Sequence, residues 1–223
     1  MEKYLIIVAG GKGTRLSADL PKQFIEINGK PLLMHTFDAF SETGYIDHFV
    51  LVLPTEYISY WNELCETFRF ATKHIIREGG PKRYHSVKSG LAVVPENSLV
   101  AVHDAARPFV SKRMVREGFD LALRKGNAVP VINMEDSLRE VSGTLNKPVN
   151  RNRFRRVQTP QFFRSNPLKN AYQQPYDERF TDDATVLELA GNQIFLFEGD
   201  PENIKITHPV DLVYAEHLFR IKI

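Results

Sequence analysis

The stretch VAGGKGTRL, with the PKQF that follows, gathers three glycines, two lysines and an arginine into residues 8–24, directly after a short apolar run. Glycines in such a place let backbone amides approach phosphate oxygens with no Cβ in the way. Arg15 offers a rigid fork of donors, while Lys12 and, past Pro21, Lys22 offer mobile point charges; both suit a polyphosphate. Two familiar phosphate loops fail on spacing. A dinucleotide fingerprint needs a glycine where Leu16 stands, and a P-loop needs Ser or Thr after its lysine, whereas Lys12 precedes Gly13. The competing reading is a basic solvated loop, which the glycines and the position behind the first strand argue against.

Three further motifs belong with this loop. EGGPKRYHSV sets Gly79, Gly80, Arg83 and Ser86 between a strand and the start of a helix. VAVHDAARPFV puts Asp104 at the end of a buried strand with Arg107 close behind. A lone carboxylate at that edge reads as a ligand for Mg²⁺ or a ribose, or else as a helix cap or the ionic partner of Arg107. His103, next to it, reads as a structural hydrogen-bonding group. GDPENIKITHP contributes Lys205, and NRNRFRR contributes Arg151, Arg153, Arg155 and Arg156, either a solvated edge or a contact to a second phosphate-bearing ligand. No Ser/His/Asp triad and no metal-binding His/Cys set assembles with convincing spacing. The single cysteine, Cys65, excludes an intrachain disulfide and reads as a buried thiol in a reducing cytoplasm.

Apolar strand-like runs alternate with segments of helical period, from KYLIIVAGG and PLLMHTFDAFSE through HFVLVLP and SLVAVHDA to NAVPVI, and the early strands are apolar on both faces. That pattern predicts an α/β layered fold with buried parallel strands. Residues 135–154 break it: SLREVSG and KPVNRNRF alternate around Ser142–Gly143 as a projecting β-hairpin. Such an arm has two open edges and too little core of its own, which packing against a second copy of the chain would remedy; a solvent-exposed flap is the alternative. FTDDATVLELAG predicts a helix capped near Thr181, and THPVDLVYAEHLF a last helix with Thr207 as cap and Pro209 in its first turn.

The 223 residues suit one domain spanning 1–223, with 43% hydrophobic and 25% charged residues. A net charge of +2 argues against a broad nucleic-acid or membrane-binding face. No apolar run approaches the roughly 18 residues that would cross a bilayer.

Taken together, AGGKGTRL…PKQF, GGxxRxxSV, HDAARP, TPQFF, TDDA and NIKIT resemble, in that order and over nearly the whole chain, the 2-C-methyl-D-erythritol 4-phosphate cytidylyltransferases. The ribitol-5-phosphate cytidylyltransferases are a near relative; Ala105-Ala106 and TDDA favour the former. The resemblance implies a Rossmann-like nucleotidyltransferase fold, mainly parallel at its centre and flanked by helices, with a projecting β-arm. It implies cytidylyl transfer from CTP to a polyol phosphate with Mg²⁺, in a homodimer joined through that arm, with no nucleic acid or membrane as partner. Arg15 and Lys22 would stabilise the transition state, while Arg151, reaching the neighbouring subunit, and Lys205 would orient the polyol phosphate. The Ala9, Gly10 and Gly11 backbone, Gly13, Gly80, Arg83, Ser86, Asp104 and Ala105 would hold the nucleotide, Asp104 also lying by the metal. Arg107, Thr159 and Thr181 are further substrate-site candidates. His85 departs from the acidic residue that many members carry before the serine. A nucleotide-binding protein without turnover is the reading from another class, disfavoured by the presence of both catalytic cations.

Overall fold

Strands that are apolar on both faces must be covered on both, and the structure does this with three layers. The computed structural model describes residues 1–10 and 20–221. The chain runs through β1 (Lys3–Val8), β2 (Glu26–Ile27), β3 (Lys30–Pro31), α1 (Leu32–Ser41), β4 (His48–Leu53) and α2 (Ile58–Thr67). Next come β5 (Ile75–Glu78), α3 (Arg83–Leu91), β6 (Leu99–Asp104), α4 (Lys112–Lys125), β7 (Asn127–Asn133), β8 (Leu138–Ser142) and β9 (Leu145–Val149). The remainder is β10 (Arg155–Val157), β11 (Gln161–Arg164), α5 (Ser165–Ala171), α6 (Asp183–Leu189), β12 (Leu196–Glu198) and α7 (Pro209–Ile221).

The main sheet has the order β10-β7-β11-β6-β1-β4-β5, with β12 also on β7. Its centre is parallel: β1 pairs with β4 and β6, and β4 with β5. Side chains alternate across it. Leu5, Ile7, Leu51, Leu53 and Phe162 face Phe37, Trp61 and Phe119 of α1, α2 and α4. Their neighbours Tyr4, Ile6, Val50, Val52 and Phe163 face Val87, Leu168 and Leu187 of α3, α5 and α6. A smaller cluster, including Ile27, Phe109, Ile206 and Leu218, seats α7. Two strands run against the parallel pattern. β11 lies antiparallel between β6 and β7, and β10 is antiparallel to β7. This insertion carries Thr159 to the edge where Asp104 emerges, and Asp104 N–H donates to Thr159 Oγ1 at 3.1 Å.

The expected arm is present as an antiparallel hairpin of β8 and β9, with Ser142 paired to Leu145 across a two-residue turn. Gly143 takes φ +59 there, the conformation that the first loop residue of such a turn demands. Val141 and Leu145 on the arm are 69% and 75% exposed. Cys65 is half-buried rather than buried, and burial pushes its thiol up to about 11. The α6 cap falls next to Thr181, as expected, while the α7 cap differs. Asp182, the residue after Thr181, caps α6: its Oδ1 accepts from Thr185 N–H at 2.8 Å. At α7 the cap comes from inside the helix, where Asp211 Oδ2 accepts from the N–H groups of Thr207 and His208, both at 2.7 Å. The Thr207 hydroxyl donates instead to the Lys205 carbonyl at 3.2 Å, while Pro209 opens the helix as expected. Among the described residues, no helix is long and apolar enough to cross a membrane.

Candidate active site

Parallel strands deliver their following loops to one edge of a sheet, and three such loops meet here. Each is tied by its backbone to the strand beside the one it leaves. Ala9 N–H donates to the Val52 carbonyl at 2.9 Å, Gly79 N–H to that of Leu53 at 2.7 Å, and Ala105 N–H to that of Val8 at 3.1 Å. The Ala9 carbonyl in turn accepts from buried Gln23 Nε2 at 2.8 Å. Gly80 N–H donates to Ser86 Oγ at 3.1 Å, closing the loop onto the first turn of α3. A Cβ on Gly80 would run into that of His85, so the loop's path requires glycine.

These loops enclose a cleft of about 220 Å³, lined by Ala9, Gly10, Gly80, Ser86, Asp104 and Ala105, with Lys22, Lys82, Arg83 and Lys205 around it. A second cleft of about 300 Å³ lies alongside, lined among others by Arg107, Gln158, Thr159, Thr181 and Asp182. Asp104, Arg83 and Lys205 line both clefts. They form the junction where two ligands would meet.

Asp104 is the electrostatic centre of that junction. Its Oδ2 lies 2.8 Å from Lys205 Nζ and 3.7 Å from Arg107 Nε, and its Oδ1 lies 3.4 Å from Arg83 Nε. Burial alone would raise its pKa, but Arg83, Lys205 and Arg107 overcome that effect and hold the carboxyl far below the usual range. Arg107 is fixed by a bond from Nη1 to the Asn203 carbonyl at 2.8 Å, and burial lowers its pKa. Behind Asp104, His103 is fully buried between the Arg107 carbonyl at 2.9 Å and Thr159 Oγ1 at 3.2 Å. Burial pushes its pKa down to about 3, so it is a neutral structural group. Lys22 sits in a 3-10 turn, Lys22–Phe24, and its Nζ donates to the Ile206 carbonyl at 2.8 Å, beside Lys205.

The structure therefore brings together Ala9, Gly10, Lys22, Gly80, Arg83, Ser86, Asp104, Ala105, Arg107, Thr159, Thr181 and Lys205. Gly11, Gly13 and Arg15 lie outside the described residues. Arg151 lines neither cleft. It stands exposed in a 3-10 turn, Arg151–Arg153, at the root of the arm, hydrogen-bonded to the Glu135 carbonyl. Four residues went unread in the sequence. Gln23 and Lys82 lie within quoted motifs, while Asp183 holds Arg83 from behind and accepts from Tyr172 in turn. The doubled carboxylate of TDDA was the available signal for Asp183, since one helix start needs only one cap.

The chain resembles known proteins in both sequence and fold. A curated relative from Phocaeicola vulgatus, a 2-C-methyl-D-erythritol 4-phosphate cytidylyltransferase, is 47% identical over 98% of this chain and 100% of its own. One of the same description from Porphyromonas gingivalis is 48% identical over 97% of each chain. The crystal structure of the Thermus thermophilus 2-C-methyl-D-erythritol 4-phosphate cytidylyltransferase superposes with a TM-score of 0.77 at 33% identity, over 99% of this chain and 100% of that one. The Francisella tularensis structure gives 0.82 at 28%, over 97% and 99%. The family model described as IspD, 2-C-methyl-D-erythritol 4-phosphate cytidylyltransferase, matches residues 4–221, and the chain belongs to that family.

Proposed function

We propose that the protein transfers the cytidylyl group of CTP to 2-C-methyl-D-erythritol 4-phosphate, releasing pyrophosphate, as a step of non-mevalonate isoprenoid biosynthesis. The observation that carries the reading is the pair of clefts joined at Asp104, Arg83 and Lys205. The glycine-lined cleft suits the nucleotide, and the one bearing Arg107, Thr159 and Thr181 suits the polyol phosphate. A phosphate oxygen of the acceptor attacks the α-phosphorus of CTP in line. The new P–O bond forms as the bond to the β,γ-pyrophosphate breaks, and the electron pair leaves with pyrophosphate.

No general base is needed, because a phosphate monoester with a second pKa of about 6 is largely a dianion near neutrality. The obstacle is repulsion between that dianion and the triphosphate. Lys22, Arg15 and Lys205 would neutralise it, and loop amides would position the nucleotide. Among the described residues, no group of three or more His, Cys, Asp or Glu side chains is placed to hold a metal. Mg²⁺, however, typically takes one or two carboxylates plus substrate phosphates, and Asp104 supplies an ionised carboxylate whose Oδ1 has only a long contact to Arg83. Asp104 therefore fits as the protein ligand, and the bound ion would supply charge neutralisation on the phosphates.

The arm, with its exposed Val141 and Leu145, is the surface through which we expect a homodimer, carrying Arg151 toward the second cleft of the neighbouring subunit. Arg151→Ala should raise the KM for the polyol phosphate by about 10- to 100-fold with a smaller change in kcat. Mixed Arg15→Ala and Arg151→Ala subunits should regain activity in heterodimers; no recovery in confirmed heterodimers would refute site sharing. The compartment that suits one half-buried cysteine is a reducing cytoplasm.

A pyrophosphate-release assay with CTP, Mg²⁺ and either methylerythritol phosphate or ribitol 5-phosphate tests the whole reading. Turnover should be confined to the first acceptor; silence with both would make the chain a nucleotide-binding protein instead. The pH profile carries its own expectation. Asp104 is held far below the usual range and His103 at about 3, so neither titrates near neutrality. The acid limb of kcat/KM for the acceptor should fall at about pH 6, where the attacking phosphate protonates. A limb near pH 4 would assign it to a protein carboxylate.

A further inference from the structure

Asp183, the first residue of α6, is fully buried, as is little-exposed Tyr172 beside it. Arg83 grips Asp183 with both ends of its fork: Nη1 donates to Oδ1 at 2.9 Å and Nη2 to Oδ2 at 2.7 Å. The Tyr172 hydroxyl donates to the same Oδ1 at 2.6 Å. Arg83 Nε is then turned to Asp104 Oδ1. We infer that Asp183 and Tyr172 form a buried clamp that sets the direction of the Arg83 guanidinium at the junction of the two clefts.

A purely structural tie between α3 and α6 does not account for this arrangement. The two helices share an apolar cluster containing Val87, Leu91, Val186 and Leu187. Tyr84 also stacks on Tyr172 at 4.9 Å and donates from its hydroxyl to the Tyr172 carbonyl at 2.8 Å. A buried ion pair adds little net stability to such contacts, because desolvation offsets its attraction. What it adds is direction. With two donors from Arg83 and one from Tyr172, the Asp183 carboxylate cannot turn without breaking a bond, and the planar guanidinium cannot turn on it. Burial, and then Asp183, raise the Tyr172 pKa well above its ordinary value, so the hydroxyl stays a donor. Each terminal nitrogen of Arg83 keeps one N–H that these bonds do not use, on a side chain that lines both clefts. Asp183 and Tyr172 are thus positioning residues, acting through Arg83 for the nucleotide.

This inference rests on the proposed function, so CTP binding and turnover are measured first on the unaltered protein. Failure there would sink that function and leave the clamp without its purpose. With binding established by calorimetry, Asp183→Asn should raise both the Kd and the KM for CTP by about 10- to 100-fold, the scale of a misplaced catalytic group. Tyr172→Phe should shift both in the same direction by a smaller factor. The double variant Arg83→Gln/Asp183→Asn should be no worse in kcat/KM for CTP than Arg83→Gln alone, since the clamp works only through Arg83. Should Asp183→Asn fail to fold, Tyr172→Phe decides. Lowered melting temperatures with CTP constants within about twofold of the unaltered enzyme would make the clamp structural and overturn the inference. Multiplied losses in the double variant would overturn it as well.

Discussion

Lys22→Ala will lower kcat by about 10²–10³, the cost of removing one preorganised donor from a site where charge develops. The side chain leaves a 3-10 turn whose Gln23 and Phe24 are buried, and Nζ is placed by the Ile206 carbonyl at 2.8 Å, next to the residue that carries Lys205. A compact ammonium so placed can meet negative charge as it accumulates on a phosphoryl group, without having to be ordered during the reaction. The KM for CTP should change far less than kcat, because the loop amides and Ser86, which we propose hold the ground-state nucleotide, are untouched. Arg15→Ala should cost a similar factor. Steady-state kinetics with saturating acceptor separate the two constants, and undiminished turnover by Lys22→Ala would remove this lysine from the chemistry.

Asp104→Asn will be comparably damaging, for the opposite electrostatic reason. The carboxylate neutralises Arg83, Lys205 and Arg107 at once, and its side chain is only 15% exposed. Its neutral isostere leaves three cations converging on an amide, and it removes the carboxylate that we propose as the protein ligand of Mg²⁺. We expect kcat/KM to fall by about 10²–10³ and the Mg²⁺ concentration for half-maximal activity to rise. Stability should fall too, though by less than the 3–5 kcal/mol typical when one partner of a fully buried pair is removed, since water reaches this site. Metal titration alongside thermal melting distinguishes the two effects. An Asn variant with unchanged metal dependence and rate would leave Asp104 a mere ionic tie for Arg107.

Much of this arrangement was legible before any coordinates. β1, β4 and β6 announce themselves by apolar runs too continuous for half-exposed strands, and a glycine loop behind β1 belongs at the sheet's carboxyl edge. The hairpin was readable because alternation on either side of Ser142–Gly143 has a local cause. What escaped is non-local. β11 is a four-residue run, and nothing in QFFR says that it will enter antiparallel between β6 and β7. The partnership of Arg83 with Asp183 spans 100 positions, and local pattern is blind to it. The cap of α7 was missed by a smaller margin, where the Asp211 carboxylate outcompeted the Thr207 hydroxyl as acceptor.

The bond between Lys22 and Ile206 joins positions 184 apart, and it sets an order of events during synthesis. A chain growing from its amino end presents Lys22, Asp104 and Arg83 well before Lys205 leaves the ribosome. Until then Asp104 lacks its closest cation and Lys22 lacks the carbonyl that places it. Nascent polypeptide is therefore expected to lack turnover until residues 205 and 206 have emerged.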